Sequence, residues 1–262
     1  MVRTAERNRF PLASSFDLLQ AVECDQLVLH YQPIIDLRTG GTVSLEALVR
    51  WCHPDQGLLP PDRFLPMAEN SWLGGALTAW VLERAVSDCA AWRWAGFAAG
   101  VSVNVLPEAI TQTWLADTVD HLLGLHGLPG EALTIEITER RWPEDLFNVQ
   151  QTMDALARLG VATSLDDFGT GDSSLARLQH LRFTEIKIDK SFVCEASERN
   201  ESREILRYTA DLARALGTRS VAEGVELAPD LELVRTMEID AVQGYLLARP
   251  RPLEELSVGL ST

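Results

Sequence analysis

Residues 133–138 read LTIEIT, and one letter resists the pattern around it. Ile135 and Ile137 share one face of a short β-rich run, which leaves Glu136 on the other. The arrangement returns at residues 184–188, TEIKI, where Ile186 and Ile188 share a face and Lys187 stands opposite. Working outward, β-rich runs appear at Leu27–Ile35, Thr42–Val49, Gly100–Val105, Leu133–Thr138, Ala162–Leu165, Thr184–Ile188, Arg219–Ala222 and Ala241–Leu246. Amphipathic helices separate most of them. One is predicted to begin at Pro143, to carry Leu146, Val149, Met153 and Leu156 on one face, and to stop at Gly160. Another runs from near Ser202 to Gly217, and a third spans Leu77–Trp94 and ends at Gly96. Strand–helix alternation along the chain implies a mostly parallel sheet with helices packed outside. About eight strands in about 250 residues is the size of a (β/α)8 barrel, an α/β fold of roughly 31 residues per unit. The alternative, an open doubly wound sheet, often carries a G-x-G-x-x-G turn after its first strand, and none occurs here.

The 262 residues are 46% hydrophobic, as expected of a packed globular chain, and carry a formal net charge of −15. So acidic a surface repels phosphate backbones and argues against general DNA or RNA binding, but does not exclude a small anionic ligand held by bound cations. Cys24, Cys52, Cys89 and Cys194 are scattered without a C-x-x-C pair, which suits reduced thiols in the cytosol. Residues 1–10 contain Arg3, Arg7 and Arg9 but lead into no apolar region of a secretory signal. No stretch approaches the roughly 20 apolar residues of a membrane span. The expectation is a cytoplasmic protein with a tail at 1–13, one domain at 14–256 and a short tail at 257–262.

Polar residues then fall where a core should not hold them. Glu46 sits in SLEALVRW, residues 44–51, and a lone ionised carboxylate is almost never fully buried without a partner. Asn104 ends SVNV, Asp166 and Asp167 close SLDD, Glu223 ends SVAE, and Gln243 precedes Gly244-Tyr245. Taken singly, each has an ordinary explanation: a solvated strand face for Glu136 or Asn104, a surface lysine for Lys187, turn chemistry for the Asp pair, a helix-entry acid for Glu223. Together they fall near the same end of several strands of one barrel, where barrel enzymes build their sites. Five carboxylates, Glu46, Glu136, Asp166, Asp167 and Glu223, cannot share a pocket unless cations or protons intervene. Two divalent ions and Lys187 would balance them. The hard oxygen donors favour Mg²⁺ or Mn²⁺ over zinc, and paired metals are a recurring device for phosphodiester cleavage.

These residues resemble the EAL-domain family of cyclic di-GMP phosphodiesterases. The likeness rests on YQPIID (31–36), EALVRW (46–51), AEN (68–70), SVN (102–104), EITE (136–139), DDFGTGDSSL (166–175), KIDKSFV (187–193), AEGVE (222–226) and QGYLLARP (243–250). It implies a barrel whose first strand runs against the others, and hydrolysis of cyclic di-GMP to linear pGpG, lowering the level of that second messenger. It implies that Glu46, Asn104, Glu136 and Asp166 ligate one metal, and Asp166, Asp167 and Glu223 the other. Glu46, Lys187, Asp166 and Glu223 are then the catalytic set, with Lys187 orienting or deprotonating the attacking water. Gln32, Arg50 and Gln243 resemble substrate-side residues, Arg50 as a charge-assisted phosphate partner. Glu139 resembles a glutamate that braces the loop 167–174, and a homodimer is the family expectation.

Two positions depart from the family pattern: Asp172, where an aromatic is usual, and Leu106, where a small polar residue is commoner. A second reading is a receptor that binds cyclic di-GMP without cleaving it and signals to a partner protein. Receptors in the family typically lose metal ligands or the lysine, all of which this chain keeps. A third is a metal-dependent phosphodiesterase for another nucleotide.

Overall fold

The computed structural model describes residues 14–256 apart from 70, 140–142, 144, 171–177 and 179. Asp172 and the tails at 1–13 and 257–262 lie outside the described residues. Eight strands close a barrel: β1 (Leu27–Asp36), β2 (Thr42–His53), β4 (Gly100–Asn104), β5 (Leu133–Thr138), β6 (Ala162–Phe168), β7 (Glu185–Ile188), β8 (Arg219–Ala222) and β9 (Ala241–Val242). A short β3 (Gly57–Leu59) extends the sheet as a hairpin partner of β2. Neighbours from β2 to β4 and onward to β9 run parallel, whereas β1 is antiparallel to both β2 and β9. The barrel and its reversed first strand match the expectation from sequence.

Several boundaries move, each for a local reason. The second strand continues past Val49 to His53 because its end pairs with β3. The sixth continues past Leu165 to Phe168 and so takes in both aspartates. The last stops at Val242 rather than Leu246, because the chain beyond it bonds to a loop: Val225 N–H donates to the Gln243 carbonyl and Leu246 N–H to that of Val225. Gly244 is required there, since a Cβ would lie 2.1 Å from the Val225 oxygen.

Helix ends shift as well. The helix expected from Pro143 begins at Leu146 (α6, Leu146–Arg158), where the Asp145 side chain accepts from Asn148 N–H. The helix expected from Leu77 begins at Trp72 (α3, Trp72–Trp94) and runs through Gly74 and Gly75. Gly74 packs closely there, since a Cβ would stand 3.0 Å from the Ala68 carbonyl oxygen, a contact that offsets glycine's poor helix propensity. α8 (Asn200–Leu216) ends as expected at Gly217, with φ +66°. The main core lies between sheet and helices, where Ile135, Ile137, Leu165 and Ile186 point outward into the shell formed by α3, α5 (Trp114–His126) and α6. Their neighbours Glu136, Asp166 and Lys187 point into the barrel.

Candidate functional site

Lys187 is the centre of the C-terminal end of the barrel. Its side chain is fully buried, and Nζ lies 2.8 Å from Glu136 Oε2, 2.8 Å from Glu223 Oε1, 3.2 Å from Asp166 Oδ1 and 3.4 Å from Glu46 Oε2. Three strands and one strand-end loop therefore converge on an ammonium carried by a fourth strand. Register explains the convergence: Asn104 stands opposite Glu136, and Thr138 opposite Asp166, in the parallel ladder. Glu46, buried as a charge, is held on both oxygens. Asn104 Nδ2 donates to Oε1 at 2.8 Å and Gln243 Nε2 to Oε2 at 2.5 Å.

The electrostatics follow from these contacts. Burial works against a charged Lys187, yet Asp166, Glu136, Glu223 and Glu46 hold its pKa well above the ordinary lysine range. Burial would also raise Glu46, but Lys187 and the amides of Gln243 and Asn104 bring it below the usual carboxylate value. Burial wins at Glu136 and Glu223, whose carboxyls lie well above that value despite Lys187. One ammonium cannot neutralise so many acids, and some of them keep protons unless further cations arrive.

The donor set fits such cations. Asp166, Asp167 and Glu223 each offer an oxygen within 4.8 Å of the others. Glu136 Oε1 and Gln243 Oε1 are buried without a hydrogen-bond partner, so hard oxygens are available inside the pocket. Asp167 adopts a left-handed φ of +55°, a conformation rare for a non-glycine residue that persists where surrounding structure imposes it.

The other expected residues take distinct places. Gln32 stands opposite Glu46 in the β1–β2 register, where Gln243 Nε2 donates to its Oε1 at 3.1 Å and its own Nε2 donates to the Ala248 carbonyl at 3.0 Å. Both ends of that amide are engaged within the protein, fixing Gln243. Arg50 is half-buried further along β2, and its Nη1 donates to the Val49 carbonyl at 2.9 Å without contacting the carboxylates. Glu139 is buried behind the site. Its Oε2 accepts from Gly169 N–H at 2.8 Å and its own N–H donates to the Asp166 carbonyl, which ties β5 to the turn after β6. Sequence reasoning missed a cavity of about 200 Å³ beside Asn104, lined mainly by Leu48, Pro61, Leu65, Leu77 and Leu106 with Glu69 at its edge. The proline-rich LLPPDRFLP at 58–66 was its one visible signal.

Comparison with known proteins gives a consistent result. A family model described as EAL domain matches residues 16–250. The cyclic di-GMP phosphodiesterase NbdA of Pseudomonas aeruginosa is 42% identical over 244 residues, covering 92% of this chain and 31% of NbdA. The bifunctional diguanylate cyclase/cyclic di-GMP phosphodiesterase MucR of the same organism is 38% identical, covering 92% of this chain and 35% of MucR. The chain thus spans about a third of the length of these curated relatives. Among solved structures, the PaMucR phosphodiesterase in complex with c-di-GMP superposes with a TM-score of 0.86 at 38% identity, covering 92% of this chain and 98% of that one. The FimX EAL domain from Pseudomonas aeruginosa bound to c-di-GMP gives 0.83 at 25% identity, covering 94% of this chain and all of that one.

Proposed function

The chain belongs to the EAL domain family, and from that premise we propose that it hydrolyses cyclic di-GMP to linear pGpG using divalent cations. The observation that carries the reading is the buried Lys187 ammonium with four carboxylates within 3.4 Å and the Asp166, Asp167 and Glu223 oxygens beside it. We assign Glu46, Asn104, Glu136 and Asp166 to one cation and Asp166, Asp167 and Glu223 to a second, Mg²⁺ or Mn²⁺ in each case. When bound, such ions activate water and stabilise the attacking and leaving oxygens of an in-line displacement.

The chain's own residues do the rest. Lys187, beside Glu136, Glu223 and Asp166, is assigned to orient or deprotonate the attacking water. Asn104 and Gln243 fix the Glu46 carboxylate, and Gln32 fixes Gln243. Arg50, further along β2, is assigned to a phosphate oxygen, a pairing that its planar fork suits. The apolar cavity beside Asn104 offers a surface for a flat base. The reading further takes residues 14–256 as one domain acting in the cytoplasm as a homodimer, the dimer resting on family resemblance. Among the described residues no helix is long and apolar enough to cross a membrane.

The test is hydrolysis of cyclic di-GMP by the purified chain with Mg²⁺, with Mn²⁺ and with chelator, resolving pGpG chromatographically. Metal-dependent pGpG is the expected result. Bound but intact substrate in saturating metal would make the chain a receptor, and preference for another nucleotide in competition would reassign the substrate.

A further inference from the structure

Beneath the acids the barrel interior is divided. On one side Ile34, Val221 and Ala241 form a small apolar cluster. On the other, the layer under the carboxylates consists of small hydroxyls: Ser44 and Ser102 share a hydrogen bond of 2.8 Å, and Ser164 is fully buried. Barrels usually fill such layers with branched apolar side chains. Four register partners cross this polar half in one row: Glu136 stands opposite Ser164, Ser164 opposite Glu185, and Glu185 opposite Arg219. Ser164 lies two residues before Asp166 and Glu185 two before Lys187, so both face the interior. Because barrel strands tilt, the row descends from the Lys187 partner Glu136 to the opposite mouth. There Arg219 borders a cavity of about 500 Å³ shared with Asp36, Ser220 and Asp240.

Three consecutive members of this row carry a buried polar atom without a hydrogen-bond partner: Ser164 Oγ, Glu185 Oε1 and Arg219 Nη2. The ion pairs of Arg219 are long, 4.0 Å from Nε to Glu185 and 3.9 Å from Nη2 to Asp36. At such separations water is the natural bridge, and buried polar groups in proteins find protein or ordered-water partners. Burial raises the Glu185 carboxyl above its usual range, eased by Arg219, Lys187 and then the Ser164 hydroxyl. That hydroxyl is near the carboxylate, yet no bond of normal geometry joins them.

We propose that a file of bound water threads the barrel along Ser164, Glu185 and Arg219, joins the catalytic face to the opposite mouth, and carries away the proton released by hydrolysis. The water site rests on geometry alone, and its role rests on the hydrolase reading. In that reaction a P–O bond forms from water, the bond to the leaving 3′-oxygen breaks, and one water proton passes to that oxygen. The product monoester has a second pKa of about 6 and is mostly a dianion at neutral pH, so the other proton must leave. The row offers it an exit away from the bound substrate.

One test needs no activity. A high-resolution crystal structure of the full chain should show ordered water within hydrogen-bond distance of Ser164 Oγ, Glu185 Oε1 and Arg219 Nη2; dry, closed packing at those atoms overturns the file. The kinetic test compares Ser164→Val, which fills the space, with Ser164→Ala, which leaves it. In saturating metal, Ser164→Val should lower kcat about tenfold at unchanged KM, with partial recovery in a concentrated small buffer that does not bind metal, while Ser164→Ala stays within about twofold of the parent. Equal kcat in both variants, or a loss that buffer does not relieve, overturns the proton role. Should Ser164→Val fail to fold, Glu185→Gln takes its place under the same criteria, with Glu185→Asp as the rescue. A parent chain without hydrolysis would sink the functional reading while the crystallographic test still decided the file.

Discussion

A lysine without solvent exposure stays an ammonium only inside a matched set of charges, and Lys187 has four carboxylates within 3.4 Å. Replacing it by methionine leaves those acids facing one another. Lys187→Met should therefore cost about 3–5 kcal/mol in chelator, read from urea unfolding, and recover part of that in excess Mg²⁺. A loss of the same size with and without cation would show that the carboxylates bind none. Glu46→Ala is a different kind of change. It removes one of four acids around Lys187 and leaves the ammonium paired, so the melting temperature should move little. Turnover should fall by more than about a hundredfold, because an expected metal ligand and the anchor for Asn104 and Gln243 go with it. Unchanged turnover would contradict the ligand assignment.

Among the elements, the join between β5 and the turn after β6 depends on Glu139. Its carboxylate accepts from Gly169 N–H while its backbone holds the Asp166 carbonyl. Glu139→Ala should weaken divalent binding, measured by calorimetry, several-fold or more while costing about 1–3 kcal/mol of stability. If metal affinity and oligomeric state both stayed constant, Glu139 would serve only as a strand residue. Period-two alternation sufficed to face Glu136 and Lys187 inward, and strand–helix alternation sufficed for the barrel. Element ends were less legible, because tertiary contacts set them: the β3 hairpin lengthens β2, and the Val225 loop cuts β9 short. The helix expected from Leu77 starts at Trp72 instead, taking in Gly74, which packs against the Ala68 carbonyl. Least legible of all was the amide contact between Gln32 and Gln243, 211 residues apart, which no local pattern announces.

Across the whole molecule the net charge of −15 has a local focus in the barrel mouth. A cation that binds the folded pocket and not the unfolded chain stabilises by mass action, about 2.7 kcal/mol at a hundred times its dissociation constant. Mg²⁺ or Mn²⁺ should therefore raise the melting temperature of the parent chain, and the increment should shrink in Asp167→Asn, which removes charge from the trio beside Lys187. Monovalent salt at equal ionic strength should not reproduce the increment, since screening acts weakly on buried groups. An equal response to monovalent salt would reduce the effect to general charge relief. The seam between β1 and β9 carries a consequence of its own. It consists of Ile35 opposite Val242 and Asp36 opposite Ala241, residues from the two extremes of the folded chain. A ribosome making this protein delivers β1 first and its second neighbour last, so the nascent sheet keeps two open edges until residue 242 has left the exit tunnel. Because closure must wait for that residue, the open edges persist for the time taken to translate residues 36 to 242.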